Sequence, residues 1–317
     1  MNITNPLLEK ERPAVGLQTV ATELSTRLSP QAQVRVLEPL ARRTTLRVGG
    51  PADLYIEPAF ESDLSKVLRF CSERNLPWFV LGRGSNLLVK DAGFPGVVIS
   101  LAHSNFSRIE IMGERLHCGA GAKLKSVAVE AKRNNLSGLE FLEGIPGTVG
   151  GGLRMNAGAM GSATFEVVQS VRLMDRLGQV QELPPAGLGV GYRSCGLLKT
   201  HIALEAVLRC HAAARESIEQ RMHEFSQKRW QSQPAAPSAG CIFKNPTTIP
   251  AGKLIDELGL KGARIGGAQV SPEHGNFIVN DGTASAKDVL ELIERIRQRA
   301  RQMRGIELET EVEIIGE

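Results

Sequence analysis

GLEFLEGIPGTVGGGLRMNAGAMG, residues 138–161, is the stretch on which the reading of this chain turns. Its glycines alternate with apolar side chains, and no charge falls between Glu143 and Arg154. Flexible linkers instead space glycine with serine and other polar residues. Gly144, Gly147, Gly150, Gly151 and Gly152 let main chain approach a flat ligand closely, while Ile145, Val149 and Met155 keep such a contact dry. Thr148 and Asn156 are the polar side chains among them. A buried crossover loop without a ligand accounts locally for the same pattern.

Toward the N-terminus, FVLGRGSNLLV (79–89) sets Gly82, Arg83, Gly84, Ser85 and Asn86 directly after an apolar strand. Backbone N–H groups at such a turn converge on an anion such as phosphate, although an ordinary tight turn uses the same residues. Other nucleotide signatures fail. There is no GxxxxGK[ST], and GAGAKL (119–124) lacks the third glycine of a dinucleotide fingerprint. The six histidines never take ligand spacing with an acid, so no metal site is expected.

Around these loops the pattern is α+β. Helical spacing covers 15–28 and 63–75, the latter with Leu64, Val67, Leu68 and Cys71 on one face, and an extended stretch covers 34–47. A short strand at 78–81 completes a βαβ-type unit. Strand pairs then flank turns at Gly113 and at Gly178, with a helix at 123–134 between them, and a strand at 201–210 closes the region. Beyond a polar helix (217–231) and the loop QPAAPSAG comes a third lobe. It holds a helix at 252–258, the extended GNFIVND, a helix capped by Ser285 and Asp288, and a final strand, IELETEVEII (306–315).

A chain of 317 residues favours two or three compact units, and 42% hydrophobic with 23% charged residues is ordinary for a folded protein. With 38 basic and 34 acidic side chains and no block of like charge, no nucleic-acid partner is expected. The five cysteines are odd in number and never form a CxxC pair, which fits reduced thiols in a cytoplasmic protein. No apolar run is long enough to span a bilayer, and the first residues lack the basic and apolar regions of an export signal. Nothing in the sequence sets an oligomeric state.

Three further sites carry chemistry. GYRSCG (191–196) puts Arg193 beside Tyr192 in a glycine-flanked turn, where a guanidinium can clamp a carboxylate, although surface arginines are common. SAGCIFKNP (238–246) sets Cys241 after a glycine at the start of an apolar strand, where an inert buried thiol is the ordinary case. In the last strand Glu307, Glu309, Glu311 and Glu313 alternate with apolar residues and so share one face. Alternation alone does not single out one of them.

Taken in order, RVGGPAD (47–53), LGRGSNLL (81–88), GLEFLEGIPGTVGG (138–151), MNAGA (155–159), GYRSC (191–195), SAGCIFKNP, AGKLIDELGLKG (251–262), GGAQVS (266–271), HGNFIVN (274–280) and LETEV (308–312) resemble the UDP-N-acetylenolpyruvoylglucosamine reductase family. The resemblance covers roughly residues 44–316 and implies a vanillyl-alcohol-oxidase/p-cresol-methylhydroxylase-type FAD-binding fold. Two FAD-binding lobes, 1–76 and 77–212, precede a C-terminal α+β substrate lobe, 213–317. Residues 82–86 are implied to hold the FAD pyrophosphate, with Gly144, Ile145, Gly147, Thr148, Gly150, Gly151 and Asn156 lining the rest of the cofactor.

The implied activity is a step of peptidoglycan precursor synthesis. NADPH reduces FAD, and flavin N5 gives hydride to the enolpyruvyl ether of UDP-N-acetylglucosamine enolpyruvate, forming UDP-N-acetylmuramate. Arg193 and Glu311 are implied to stabilise the charge and Cys241 to donate the proton. Tyr192, Lys244, Asn245 and Gln269 are the candidates for binding the UDP-sugar. Cys241 and Cys195 stand where the family usually has serine, and the tyrosine-bearing substrate loop of the longer family branch is absent.

Overall fold

The computed structural model describes residues 14–317, so the reading of residues 1–13 as part of a chain without an export signal lies outside the described residues. Helix α1 (Ala14–Arg27) leads into the antiparallel strands β1 (Gln33–Pro39) and β2 (Pro51–Glu57). Helix α2 (Glu61–Glu73) and strands β3 (Trp78–Val80), β4 (Leu87–Val89) and β5 (Phe94–Ile99) follow. The sheet runs β1-β2-β5-β3, with β5 parallel to both neighbours. A parallel strand between two others is covered on both faces, and Val97, Val98 and Ile99 are fully buried.

The β2-α2-β3 unit is thus present, with β5 between its two strands. Two expectations change here. The extended stretch ends at Pro39, where the chain enters a 3-10 turn (Leu40–Arg43) instead of continuing to residue 47. The boundary placed between residues 76 and 77 falls inside this sheet, because β5 pairs with β2, which is encoded before it, and carries β3 on its other side. A strand's own residues do not name its neighbour.

The second sheet comes from the strand pairs. Strands β6 (Ile109–Ile111) and β7 (Arg115–Gly119) precede helix α3 (Leu124–Arg133) and the short helix α4 (Val149–Arg154). Then come β8 (Val168–Met174), β9 (Val180–Leu183), the small hairpin β10 (Val190–Gly191) and β11 (Ser194–Cys195), β12 (Ile202–Arg209) and helix α5 (Arg215–Ser232). The order β9-β8-β12-β7-β6 is antiparallel throughout. One continuous core joins the two sheets, from Leu54, Ile56 and Val67 to Leu116, Val171 and Leu204. Ile218 and Met222 of α5 enter this same core, so the helix expected to open the C-terminal lobe packs on the second lobe.

The third lobe has its own core and a sheet in the order β13-β16-β15-β14. It contains β13 (Ser238–Cys241), α6 (Ala251–Glu257), β14 (Arg264–Ile265), β15 (Ala268–Val270), β16 (Phe277–Asn280) and α7 (Ala286–Arg304). The capping box at α7 is formed: Ser285 Oγ accepts from Asp288 N at 3.1 Å and Asp288 Oδ2 accepts from Ser285 N at 2.9 Å. Gly305, at φ 62°, ends the helix in the left-handed conformation. Val289, Leu292, Ile293 and Ile296 face the core at helical spacing.

Residues 306–315 do not make one long strand. Only β17 (Glu313–Ile315) is a strand, and it pairs in parallel with β4 of the first lobe. Residues 306–312 run alongside 242–244 instead, through a bridge between Phe243 and Thr310 and a bond from Lys244 N to Glu309 O at 2.9 Å. The chain therefore returns from the third lobe to the loop 82–86. Among the described residues, no helix is long and apolar enough to cross a membrane.

Candidate active site

The two glycine loops touch because they lack side chains. A Cβ built at Gly82 would lie 2.8 Å from Thr148 Oγ1, and one at Gly147 3.8 Å from Ser85 Oγ. Gly240, next to Cys241 and at φ +73°, sits against the same loop, its built Cβ 3.7 Å from Ser85 O. Among the described residues, no acceptor takes the amide N–H of Gly82, Arg83, Gly84, Ser85 or Asn86. Five successive free donors after a strand make a concave site for an anion.

The other predicted loop residues divide by what they touch. Thr148 Oγ1 caps α4 by accepting from Gly151 N at 3.3 Å, and Gly151 itself is exposed. Gly150 is a packing glycine: its N–H bonds Ala120 O at 2.8 Å, and a Cβ there would lie 3.2 Å from Ala120. Ile145 is half-buried. Asn86 Nδ2 donates to Glu311 O at 3.1 Å. Asn156 is occupied at both ends, accepting from Phe165 N at 3.2 Å and donating to Gly191 O at 3.1 Å, which anchors the β10–β11 hairpin.

That hairpin has Tyr192 and Arg193 as its two-residue turn, with Arg193 at φ 51°. Arg193 Nε lies 3.0 Å from Glu311 Oε1, and the two side chains are 25% and 15% exposed. The contact is an ion pair, but the oxygen lies off the N–H direction, so this buried N–H has no hydrogen-bond acceptor. Gly158 leaves room for the guanidinium: a Cβ there would lie 3.2 Å from Nη1. Cys195 turns away, its thiol donating to Leu188 O at 3.4 Å.

Cys241 ends strand β13, where the sequence placed it at a strand's start, and is half-buried. Glu311 lies beside it because Glu311 N bonds Ile242 O at 2.8 Å. Burial pushes the Cys241 thiol up to about 12, Glu311 adds to this, and Arg193 and a bond from Asn276 oppose it. The thiol is therefore protonated at neutral pH. Burial also raises the Glu311 carboxyl above its ordinary value, against the pull of Arg193 and then Lys244. Arg193, Cys241 and Glu311 thus form one coupled group beside the glycine loops.

Of the four candidates for the sugar nucleotide, Tyr192 is 57% exposed beside Arg193, and Lys244 reaches Glu309 at 3.0 Å. Asn245 accepts from Ala251 N at 3.0 Å, at the start of α6. Gln269 lies two strands from Cys241, with its amide bonded to Gly262 O at 3.2 Å and Arg264 at 3.3 Å. Three residues at the site were missed in the sequence. Arg154 bridges Glu313 and Leu198 O, Arg229 donates to Gly144 O, and Asn276 lies beside Cys241. Only a buried asparagine in the apolar stretch NFIV gave any signal.

An α+β frame that holds a row of free amide donors against a second glycine loop defines a FAD-binding protein, and residues 52–184 match the FAD binding domain family. Residues 233–315 match the family of UDP-N-acetylenolpyruvoylglucosamine reductase, C-terminal domain. UDP-N-acetylenolpyruvoylglucosamine reductase 2 of Symbiobacterium thermophilum is 42% identical over 302 residues, which cover 95% of this chain and 98% of the relative. The Bacillus subtilis reductase is 41% identical over 95% of this chain and 99% of its own length. The crystal structure of the Thermus caldophilus enzyme superposes with a TM-score of 0.79 at 40% identity, covering 90% of this chain and 99% of that one. The chain belongs to the UDP-N-acetylenolpyruvoylglucosamine reductase family, the oxidoreductases of a step in peptidoglycan precursor synthesis.

FAD fits the residues present. Five unspent amide donors at 82–86 suit a dianionic pyrophosphate, and the absence of a side chain at Gly82 lets the second glycine loop close against them.

Proposed function

We propose that the protein is an NADPH-dependent cytoplasmic enzyme that converts UDP-N-acetylglucosamine enolpyruvate to UDP-N-acetylmuramate, with Cys241 as its proton donor. When bound, FAD carries a hydride from NADPH to the terminal carbon of the enolpyruvyl ether. Residues 82–86 hold the pyrophosphate, and the third lobe closes the sugar nucleotide over the glycine loops. Tyr192 and Lys244 rim that opening.

Charge then develops on the carbon next to the reduced one and on the carboxylate that this carbon bears. Arg193 meets it with the Nε–H that has no other acceptor. Glu311, its carboxyl raised above the ordinary value by burial and paired with Arg193, stands beside the same group. Cys241 delivers its proton to the neighbouring carbon, and the thiolate regains one from solvent. The double bond is reduced, NADPH is oxidised to NADP+, and one proton is consumed.

The observation that carries this reading is the orphaned, buried Arg193 Nε beside Glu311 and Cys241. A hydrophobic pocket for a neutral substrate has no use for it. The test is an absorbance spectrum of the purified protein, followed by NADPH and then substrate under anaerobic conditions. A flavin spectrum that NADPH bleaches and substrate restores is expected. A flavin that NADPH leaves oxidised points instead to an oxidase of the same fold acting on an alcohol. Bleaching without restoration by substrate points to a flavin-binding regulator.

A further inference from the structure

Cys241 sits where its own strand is least regular. The β13–β16 register shifts between Ser238 and Cys241, and Gly240 takes φ +73°. A bulge re-aims a side chain, and it also removes the ladder bonds that would hold that aim. Some other group has to fix the thiol.

Asn276 is placed to do so. It is 3% exposed and stands next to Phe277, the residue paired with Cys241. Its side chain closes a two-way clamp on Phe243, with Oδ1 accepting from Phe243 N at 2.9 Å and Nδ2 donating to Phe243 O at 2.8 Å. Its carbonyl accepts from Ile242 N at 2.8 Å. Its own N–H donates to His274 Nδ1 at 3.1 Å. Three bonds from one residue therefore hold the two residues that follow the thiol.

The Asn276 side chain also draws the pKa of the thiol down. Burial and Glu311 disfavour negative charge on that sulfur, and Arg193 and Asn276 oppose them. We infer that Asn276 is the positioning residue of the proton donor: it fixes the direction of Cys241 across the bulge and gives the thiolate a hydrogen bond as the proton leaves. This rests on Cys241 being the acid. The position needs a donor and an acceptor together in a buried place. Aspartate lacks the donor and adds charge beside Glu311, while leucine strands the Phe243 N–H and C=O.

The test is a double-mutant cycle on the intact flavoprotein, using single-turnover return of flavin colour after substrate is added. Asn276→Ser is the working variant, since serine keeps a donor and an acceptor and is more readily accommodated, and Asn276→Ala is its extreme. With Cys241 present, Asn276→Ser slows colour return by about 10-fold or more and leaves bleaching by NADPH unchanged. In a Cys241→Ala background the same change has no further effect. An equal slowing in both backgrounds, or slowed bleaching, assigns Asn276 a purely structural role and overturns the inference.

Alkylation by iodoacetamide at pH 9, read on the peptide that contains Cys241, gives an independent measure. The rate falls in Asn276→Ser if the amide stabilises the thiolate, whereas a rise means that the site has merely loosened and contradicts the inference. If Cys241→Ala alone leaves colour return unchanged, the reading of the acid fails and this inference with it. If Cys241→Ala slows it and Asn276→Ser does not, only this inference fails.

Discussion

Arg193 Nε and Glu311 Oε1 face each other at 3.0 Å, joining a hairpin tip of the second lobe to the segment that leaves the third. Neither is held by its neighbours in sequence. Arg193 sits in a two-residue turn that Asn156 anchors, and Glu311 is held by Ile242 and Asn86. Glu311→Gln is expected to slow turnover of the UDP-sugar by about 100-fold, on the scale of a lost charge-stabilising group. Glu309→Gln is the control, since Glu309 is 76% exposed and pairs with Lys244, and it is expected to change turnover less than about 3-fold. Steady-state assays of the two variants side by side decide this, and equal losses would remove Glu311 from its role.

Gly82→Ala is expected to weaken FAD retention. The new methyl would lie 2.8 Å from Thr148 Oγ1, so the two loops must part and the amide donors shift. Quenching of flavin fluorescence on titration into apoprotein should show a loss of about 10-fold or more in affinity, on the order of 1.4 kcal/mol. Gly187→Ala, whose nearest contacts lie at 3.7 Å, should match the parent.

Alkaline pH is expected to destabilise the fold through its buried thiols. Burial pushes Cys71 and Cys118 up to about 12 from an ordinary value of 9.0. Below about pH 8 both states keep these protons and stability is unaffected. Between about 9 and 12 the unfolded chain has lost them and the folded protein has not, so stability falls as pH rises, by up to about 1.4 kcal/mol per unit for each thiol. Urea unfolding at pH 8 and pH 10 measures this, and Cys71→Ala should reduce the slope by one thiol's share. An unchanged slope would mean that the thiol titrates alike in both states.

Arg154 is expected to matter for stability. Its Nε lies 3.2 Å from Glu313 Oε2 and its Nη1 donates to Leu198 O at 2.6 Å, linking α4, the segment after the hairpin and β17. Loss of a fork that serves two partners should cost about 1–2 kcal/mol in Arg154→Ala. Arg154→Lys should recover little, because an ammonium cannot span both partners in the same geometry. Chemical denaturation of the three proteins compares them.

Local pattern was enough for the elements. Alternation predicted the strand pairs of the second sheet, helical spacing predicted α2, α3 and α7, and the Ser285 cap appears as read. Sheet membership was not legible, because β3, β5 and β17 look like any short apolar strand and owe their places to distant partners. The acidic row shows the same limit. Alternation gave Glu307, Glu309, Glu311 and Glu313 one face, yet they pair with Arg301, Lys244, Arg193 and Arg154 respectively. Resemblance, and not period, singled out Glu311. Gln269, a candidate for the UDP-sugar, lies two strands from the thiol in sheet order, and Asn276 was overlooked because its bonds serve the backbone of Ile242 and Phe243.

Single-turnover kinetics of Cys241→Ala test the central claim most directly. NADPH should bleach the flavin of this variant at the parent rate. Substrate should then restore its colour about 100- to 10,000-fold more slowly than in the parent, the usual cost of losing a general acid, while Cys241→Ser restores it readily. Colour return at the parent rate in Cys241→Ala would contradict the assignment of Cys241 as the proton donor.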